Sequence, residues 1–569
     1  MLPIGDDGFE RAMGRSVLVD KTMLIADVLD SGYTATLFCR PRRFGKTLNM
    51  TMMKSFFEIP VQGGQPSGFF EGTCVWEAED GRYRTHCGAY PVIYLSLRTV
   101  KKDSWPAAYG ALKSLIAAEY DRHAYLLEAS GMDEGTRARF LRIKDGVADE
   151  GEYADSLLWL ARMLTRHHGR RAVILIDEYD APVMASYSAP NGGYYRQAIE
   201  FLKGWLTGPL KDGGEVLAFA CLTGVQRISK ESIFSDLNNL VVSTALSTDF
   251  DERFGFTDAE VAALAAYLGH SGCMDEARAW YDGYRFGDVS VYNPWSVLNY
   301  FNFSCTADVY WGNTSGNAVV GDLVRGANEE TIEEVYSLLE PGGVVWAPLD
   351  LGIVFPEMGV SGDALWSMLY LAGYLTTEDA SWPNDTQRLR PLRIPNLEVA
   401  RLYRAEIIER FLTVAGGRTS LIRLHDALIE GDAERLGFEL SETLKGSASY
   451  FDVTSENSVH MLLLGLLFNI RGYADPISNR ERGLGRFDIC VEPACDGAIS
   501  SSLPLVTIEV KFERAADEAK LKELAGGALG QIRARGYDAG ALPAGVSGRL
   551  RWGIACSSKR ARAVCEQAR

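Results

Sequence analysis

No C-x-x-C pair occurs among the ten cysteines of this 569-residue chain, and the closest spacing of interest, Cys490 to Cys495, matches no zinc-ligand pattern, so a zinc fold is not expected. Long hydrophobic runs are missing too: the longest helix-like one, Met461 to Ile470, is too short to cross a bilayer. The opening MLPIGDDGFERAMG lacks the basic-then-apolar build of a secretion signal. Cys39, Cys221 and Cys556 sit in apolar strand-like runs and read as buried thiols, so a reducing, cytoplasmic setting without a membrane partner is expected. There is no Pro/Ser or Gln/Asn tract and no internal repeat, which argues against long low-complexity disorder. Positive charge is in deficit: 58 Lys and Arg against 75 Asp and Glu leave −17, which argues against a protein that coats nucleic acid by bulk electrostatics.

What is present describes a folded chain. Apolar residues make up 47% and charged residues 23%, and the length exceeds what one hydrophobic core organises, so three or so domains are expected. Residues 1–245 alternate apolar strand-like runs (Thr34–Cys39, Pro91–Leu97, Ala172–Ile176, Val216–Leu222) with helical patterns (Lys46–Phe57, Ser104–Tyr120, Tyr153–His167, Tyr194–Leu206). That alternation predicts an α/β, doubly wound parallel sheet covered by helices. Residues 246–326 are dense in aromatics, as in Trp280-Tyr-Asp-Gly-Tyr-Arg-Phe286, and read as a small helical lid whose rings serve packing. Residues 327–450 read as a helical connector, and 451–569 as a C-terminal α/β domain. In the latter, a helix at Glu456–Asn469 precedes strands at Arg486–Val491, Leu505–Lys511 and Leu550–Cys556, with a helix at Glu518–Arg535 between the last two.

The segment Arg40-Pro-Arg-Arg-Phe-Gly-Lys-Thr47 follows a strand and opens a helix, the setting a phosphate-binding loop needs. Backbone amides of Arg40, Pro41, Arg42, Arg43, Phe44 and Gly45 form the turn as far as each has an N–H, and the helix N-terminus favours the negative charge of a phosphate. Lys46 is placed to reach the β- and γ-phosphates of ATP, and the Thr47 hydroxyl to ligate Mg²⁺. Arg40 stands where the common form of this loop has glycine, which leaves the turn's shape open. The apolar run Val173-Ile-Leu-Ile-Asp-Glu-Tyr-Asp180 closes on carboxylates at the end of a strand that lines the ligand crevice. Asp177 is assigned to Mg²⁺ and Glu178 to polarising the attacking water. After the fourth strand, Thr223 is a candidate γ-phosphate sensor and Arg227 a candidate for neutralising transferred charge.

In the last domain Asp488 is followed on the next strand by Ile508-Glu-Val-Lys511, whose two-residue period puts Glu509 and Lys511 on one face. Asp488 and Glu509 are candidate ligands for Mg²⁺ or Mn²⁺, with Lys511 orienting the hydrolytic water. Glu456 on the preceding helix and Gln531 on the following one are candidate supporting groups. From Lys511 onward 12 Lys and Arg face 6 Asp and Glu, which is either a solvated face or a track for a DNA or RNA backbone.

The N-terminal half resembles the AAA-ATPase-like domain family commonly joined to a PD-(D/E)XK nuclease-like domain in bacterial proteins. Val19-Asp-Lys-Thr22, the loop 40–47, Ile176-Asp-Glu-Tyr-Asp180, Leu222-Thr-Gly224, Trp280-Tyr-Asp-Gly-Tyr284 and Tyr292-Asn-Pro-Trp295 carry the resemblance in order. The family's loop has the same R-P-R-R-F-G-K-[ST] form, so Arg40 belongs to the pattern. The C-terminal stretch resembles the PD-(D/E)XK fold through Asp488, Glu509 and Lys511, with Ser478-Asn-Arg-Glu-Arg482 and Ala528-Leu-Gly-Gln-Ile532 in support and Phe487 in place of the motif's proline. The resemblance implies an ATPase coupled to a metal-dependent nuclease; an arginine finger acting in trans would imply a homo-oligomer, and no arginine is assigned to that role. The alternative is a nucleotide-switched protein that grips nucleic acid or another partner without cutting it.

Overall fold

A computed structural model describes residues 2–568 except 6–7, 62–65, 129–131, 189–192, 212, 227–233, 235–238, 313–328, 341, 353–361, 384, 447–454, 479–480, 483–484, 495–502, 538–541 and 543–545. The chain divides into two compact units: Met1–Thr314 with Val344–Val399, and Ser315–Gly343 with Ala400–Arg569. Among the described residues no helix is long and apolar enough to cross a membrane.

The first unit is built on β1 (Ala35–Cys39), β2 (Val92–Ser96), β3 (Ala172–Asp177), β4 (Leu217–Gly224) and β5 (Leu240–Ser243). They pair all-parallel in the order β2-β3-β4-β1-β5. This is an α/β fold of the kind that suits a phosphate-loop domain, as the sequence pattern predicts. β1 and β3 are buried at every position, because helices cover both faces of a parallel sheet. The covering helices, Lys46–Phe57, Trp105–Arg122, Glu150–His168 and Tyr195–Lys211, lie within a few residues of expectation. The third starts earlier than its apolar pattern because the Asp149 carboxylate accepts from the Glu152 amide as an N-cap. β5 was not anticipated: four residues are too few to display a period, and its first three are only half-buried.

The aromatic stretch is not wholly helical. Helices Asp258–Leu268, Met274–Tyr281 and Pro294–Asn302 flank a hairpin of β6 (Tyr284–Phe286) and β7 (Val289–Val291). The stretch expected to be a helical connector also contains strands: β8 (Val345–Pro348) pairs antiparallel with β9 (Leu389–Leu392). These strands belong to the first unit. The buried Glu398 carboxylate accepts from Ser296 Oγ and from the amides of Tyr310 and Trp311, each at 2.7 Å. Gly373 lies so near the phosphate loop that a side-chain carbon there would stand 2.8 Å from Pro41 Cβ.

The second unit carries a mixed sheet of β10 (Ile477–Ser478), β13 (Ile489–Val491), β14 (Leu505–Phe512), β15 (Arg549–Ser557) and β16 (Arg560–Ala568) in that order. β11 (Glu481–Arg482) and β12 (Gly485–Arg486) form a separate ribbon. The expected strand at 486–491 is therefore split, and β16 was not anticipated. β14 is interior, parallel to β15 and antiparallel to β13, which explains why it is buried from Leu505 to Val510.

Candidate functional site

β1 delivers the chain to Arg40, and the helix beginning at Lys46 takes it away; between them Arg43 (φ 69°) and Gly45 (φ 78°) adopt the left-handed conformation. Arg40 does not, so the turn places no demand for glycine at that position. The Arg40 guanidinium is fully buried and donates to the carbonyls of Cys39 (3.0 Å) and Ser243 (2.9 Å) and to Ser243 Oγ (3.1 Å). It also lies 5.2 Å from the ring centre of Phe254 and 5.1 Å from that of Phe286. Burial pulls its pKa down to about 10. Arg40 thus anchors the loop with its side chain and lines it only with its backbone. Buried Phe44 packs on Tyr284 and Phe286, while the exposed Arg43 stacks over Trp295 at 4.3 Å. The aromatic motifs of 280–295 are therefore the floor of the loop. Arg42 is exposed and Pro41 buried.

Lys46 Nζ donates to the carbonyls of Arg40 (2.9 Å) and Pro41 (2.7 Å). Desolvation lowers its pKa, opposed by the charges of Asp180, Glu178 and Asp177. A buried ammonium held by two loop carbonyls at the head of a helix is a donor set that a phosphate completes. Thr47 Oγ1 donates to Asp177 Oδ2 (2.8 Å), Thr223 Oγ1 to Asp177 Oδ1 (2.6 Å), and Ser96 Oγ lies 3.4 Å from Asp177 Oδ2. Sheet order explains the convergence: β4 lies between β1 and β3, Ser96 is in register with Asp177, those two and Thr223 emerge at strand C-termini, and Thr47 heads the helix that follows β1. The hydroxyl and carboxylate oxygens suit a hard divalent cation such as Mg²⁺.

Glu178 has φ 51°, its amide donates to Thr223 Oγ1 (3.2 Å), and its carboxylate pairs with Lys101 at 3.3 Å. Buried Asp180 accepts from the amides of Val225 (2.7 Å) and Gln226 (3.1 Å), and burial raises its pKa. This explains Gly224, where an added carbon would stand 2.7 Å from the Tyr179 ring and 3.0 Å from Asp180 Cγ. Arg227 lies outside the described residues. Ser96 and Lys101 escaped the sequence reading; the only available signal was the polar end of the strand Pro91–Leu97.

In the second unit the five expected residues do come together. Lys511 Nζ lies 3.2 Å from Glu456 Oε1 and 3.7 Å from Glu509 Oε1, and Gln531 Nε2 donates to Glu509 Oε1. Asp488 Oδ2 accepts from the Val510 amide at 2.7 Å, and His460 Nε2 contacts the Asp488 carbonyl at 3.1 Å. Glu509 is 2% exposed, yet its Oε2 has no hydrogen-bond partner among the described residues. Burial, then the charge of Asp488, pushes its pKa up to about 7; burial also raises that of Asp488. Burial opposes ionisation of Lys511, but the Glu456 hydrogen bond and three nearby carboxylates hold its pKa above the usual value. An orphaned buried carboxylate oxygen beside a second carboxylate fits a divalent cation. His460 and Tyr537, which takes a hydrogen bond from Gln531 at 3.2 Å, were not foreseen. Asn479 and Arg480 of the supporting motif lie outside the described residues. Much of the basic tail is ion-paired: Arg533 and Arg551 share Glu566, and Arg562 pairs with Glu518.

Residues 3–234 match the AAA-ATPase-like family, described as a predicted AAA-ATPase. A curated protein of Azotobacter chroococcum mcd 1, described as an uncharacterized protein in the vnfD 5′ region, is 28% identical over 437 residues, covering 76% of this chain and 74% of that one. The match spans the phosphate loop, β3 and β4, and so supports ATP binding and hydrolysis by the N-terminal region.

Proposed function

We propose that the first unit binds ATP with Mg²⁺ through residues 40–47 and hydrolyses it, and that this turnover controls a metal-dependent nucleic-acid phosphodiesterase in the second unit. The observation that carries the first half is the sharing of Asp177 by the hydroxyls of Thr47 and Thr223, with Lys46 held at the mouth of the same loop. Loop amides and Lys46 bind the phosphates, and Glu178 orients the attacking water and takes its proton. Thr47 and Asp177 would hold Mg²⁺, which would supply charge neutralisation to the bound phosphates. Thr223 links Asp177 to the backbone of Glu178, so phosphate and water positions are set by one hydrogen-bonded unit.

The orphaned oxygen of Glu509 supports the second half. Asp488 and Glu509 would hold Mg²⁺ or Mn²⁺, which would supply polarisation of a phosphate and activation of a water. Lys511, fixed by Glu456, positions that water, and Gln531 holds Glu509 in its rotamer. The substrate is single- or double-stranded DNA or RNA, reached by the exposed part of the basic tail, and assembly into a homo-oligomer would allow an arginine to act in trans.

The test is incubation of the full chain with each nucleic acid and Mg²⁺ or Mn²⁺, with and without ATP. Cleavage should require Glu509, and ATP should change its rate. Cleavage unaltered by Glu509→Ala overturns the assigned site. Nucleotide-dependent binding without any cleavage establishes the alternative, a switched binding protein.

A further inference from the structure

The first unit holds a second cluster of ligating side chains, remote in type from the nucleotide site. His270 follows the helix Asp258–Leu268, Cys273 lies three residues on, and Cys305 follows the helix Pro294–Asn302. Their ligating atoms all lie within 4.8 Å of one another, and each residue is half-buried. The positions are held from several sides. The His270 ring stacks flat on Phe301, with 6.0 Å between centres and 4° between planes. Tyr300 braces both thiol-bearing segments: its hydroxyl donates to the Cys273 carbonyl (3.2 Å) and its carbonyl accepts from the Cys305 amide (2.9 Å). The hydroxyl's single proton is shared with Glu276 Oε2, the nearer acceptor at 2.7 Å, which puts a carboxylate beside the cluster. Ser304 and Cys305 both adopt the left-handed conformation, at φ 54° and 59°, a costly pair of non-glycine residues that turns Cys305 back toward Cys273.

We propose that His270, Cys273 and Cys305 bind a thiophilic divalent cation, with Zn²⁺ the best match. One imidazole and two thiolates are a borderline-soft donor set that zinc prefers over Mg²⁺ or Ca²⁺. Metal–sulfur and metal–nitrogen bonds of about 2.3 and 2.0 Å require ligand atoms roughly 3.5–3.8 Å apart in a tetrahedron, so closure from the 4.8 Å limit needs a contraction of about 1.0–1.3 Å at most. Three protein ligands leave a fourth position for water or for Glu276. The ion ties the ends of two helices together. The second of those helices carries Trp295 in its first turn, and Arg43 of the phosphate loop is stacked on that ring. The site therefore clips the floor of the loop.

The full chain, reduced and stripped of metal, is titrated with Co²⁺ and followed by visible absorption. One equivalent should develop tetrahedral bands with thiolate charge transfer, which Zn²⁺ then bleaches. Cys273→Ser and Cys305→Ser should each abolish the charge-transfer band, while Cys74→Ser leaves it intact. Because a serine variant can fail to fold, a second readout uses the wild-type protein. Zn²⁺ should protect Cys273 and Cys305 from alkylation, read peptide by peptide, and leave exposed Cys74 reactive. Bands that survive both serine variants, or Zn²⁺ that protects neither thiol, overturn the proposal.

Discussion

Asp177 accepts hydrogen bonds on both carboxylate oxygens from hydroxyls on three other segments, so a single strand-end residue organises the candidate nucleotide site. Lys46 is its counterpart for phosphate. Lys46→Ala is expected to lower ATP hydrolysis by on the order of 10²-fold or more, measured as phosphate release, because a preorganised cation is removed from a water-poor loop. In the second unit Glu509 gives a pH prediction. Its pKa rises from 4.5 unfolded to about 7 folded, so between those values the folded state holds more protons than the unfolded state. Stability of the metal-free protein should therefore fall as pH rises through this window and level off above it. Glu509→Gln should flatten the slope in thermal melts across that range. Lys46, Thr47, Asp177, Asp488, Glu509 and Lys511 were legible because each is a polar residue at a fixed offset from an apolar strand or helix. Ser96, Lys101 and His460 were not, since only strand register and helix packing bring them in.

At the scale of elements, the phosphate loop is a turn held from below by an aromatic hairpin. Gly45→Ala should destabilise the protein by about 1 kcal/mol through backbone strain alone, because φ is 78° and among the described residues no atom lies within 4 Å of the added carbon. Denaturant melts check this value. Arg40→Gly restores the common form of the loop, yet it should cost about 2 kcal/mol or more, since it leaves the Ser243 carbonyl and hydroxyl without their buried donor. A variant as stable as wild type would show that the guanidinium is dispensable. The parallel sheet was legible from the alternation of apolar runs and amphipathic helices. β5, β6, β8 and β16 were not: they are short or lack a clean two-residue period, and pairing with a neighbour, rather than local propensity, makes them strands.

At the scale of the molecule, the two units interleave along the chain: residues 344–399 complete the first, and 315–343 belong with 400–569. A fragment ending at Thr314 would lack Glu398, which binds Ser296 and the amides of Tyr310 and Trp311, and the segment that covers Pro41. That fragment should unfold at lower urea concentration than one extending to Val399 and should bind ATP more weakly, measured by melts and by titration. An equal midpoint would show that residues 344–399 add nothing to the unit. The same interleaving bears on synthesis at the ribosome, where chains emerge at roughly 5–20 residues per second. The parallel sheet, complete by Ser243, can assemble early, but its loop lacks the cover at Pro41 until Gly373 emerges. Meanwhile the helix Glu329–Leu339 has already been made and waits for partners that begin at residue 400. Two partly built cores coexist on the nascent chain, so the interval between residues 315 and 400 is where chaperone engagement and translational pausing should matter most.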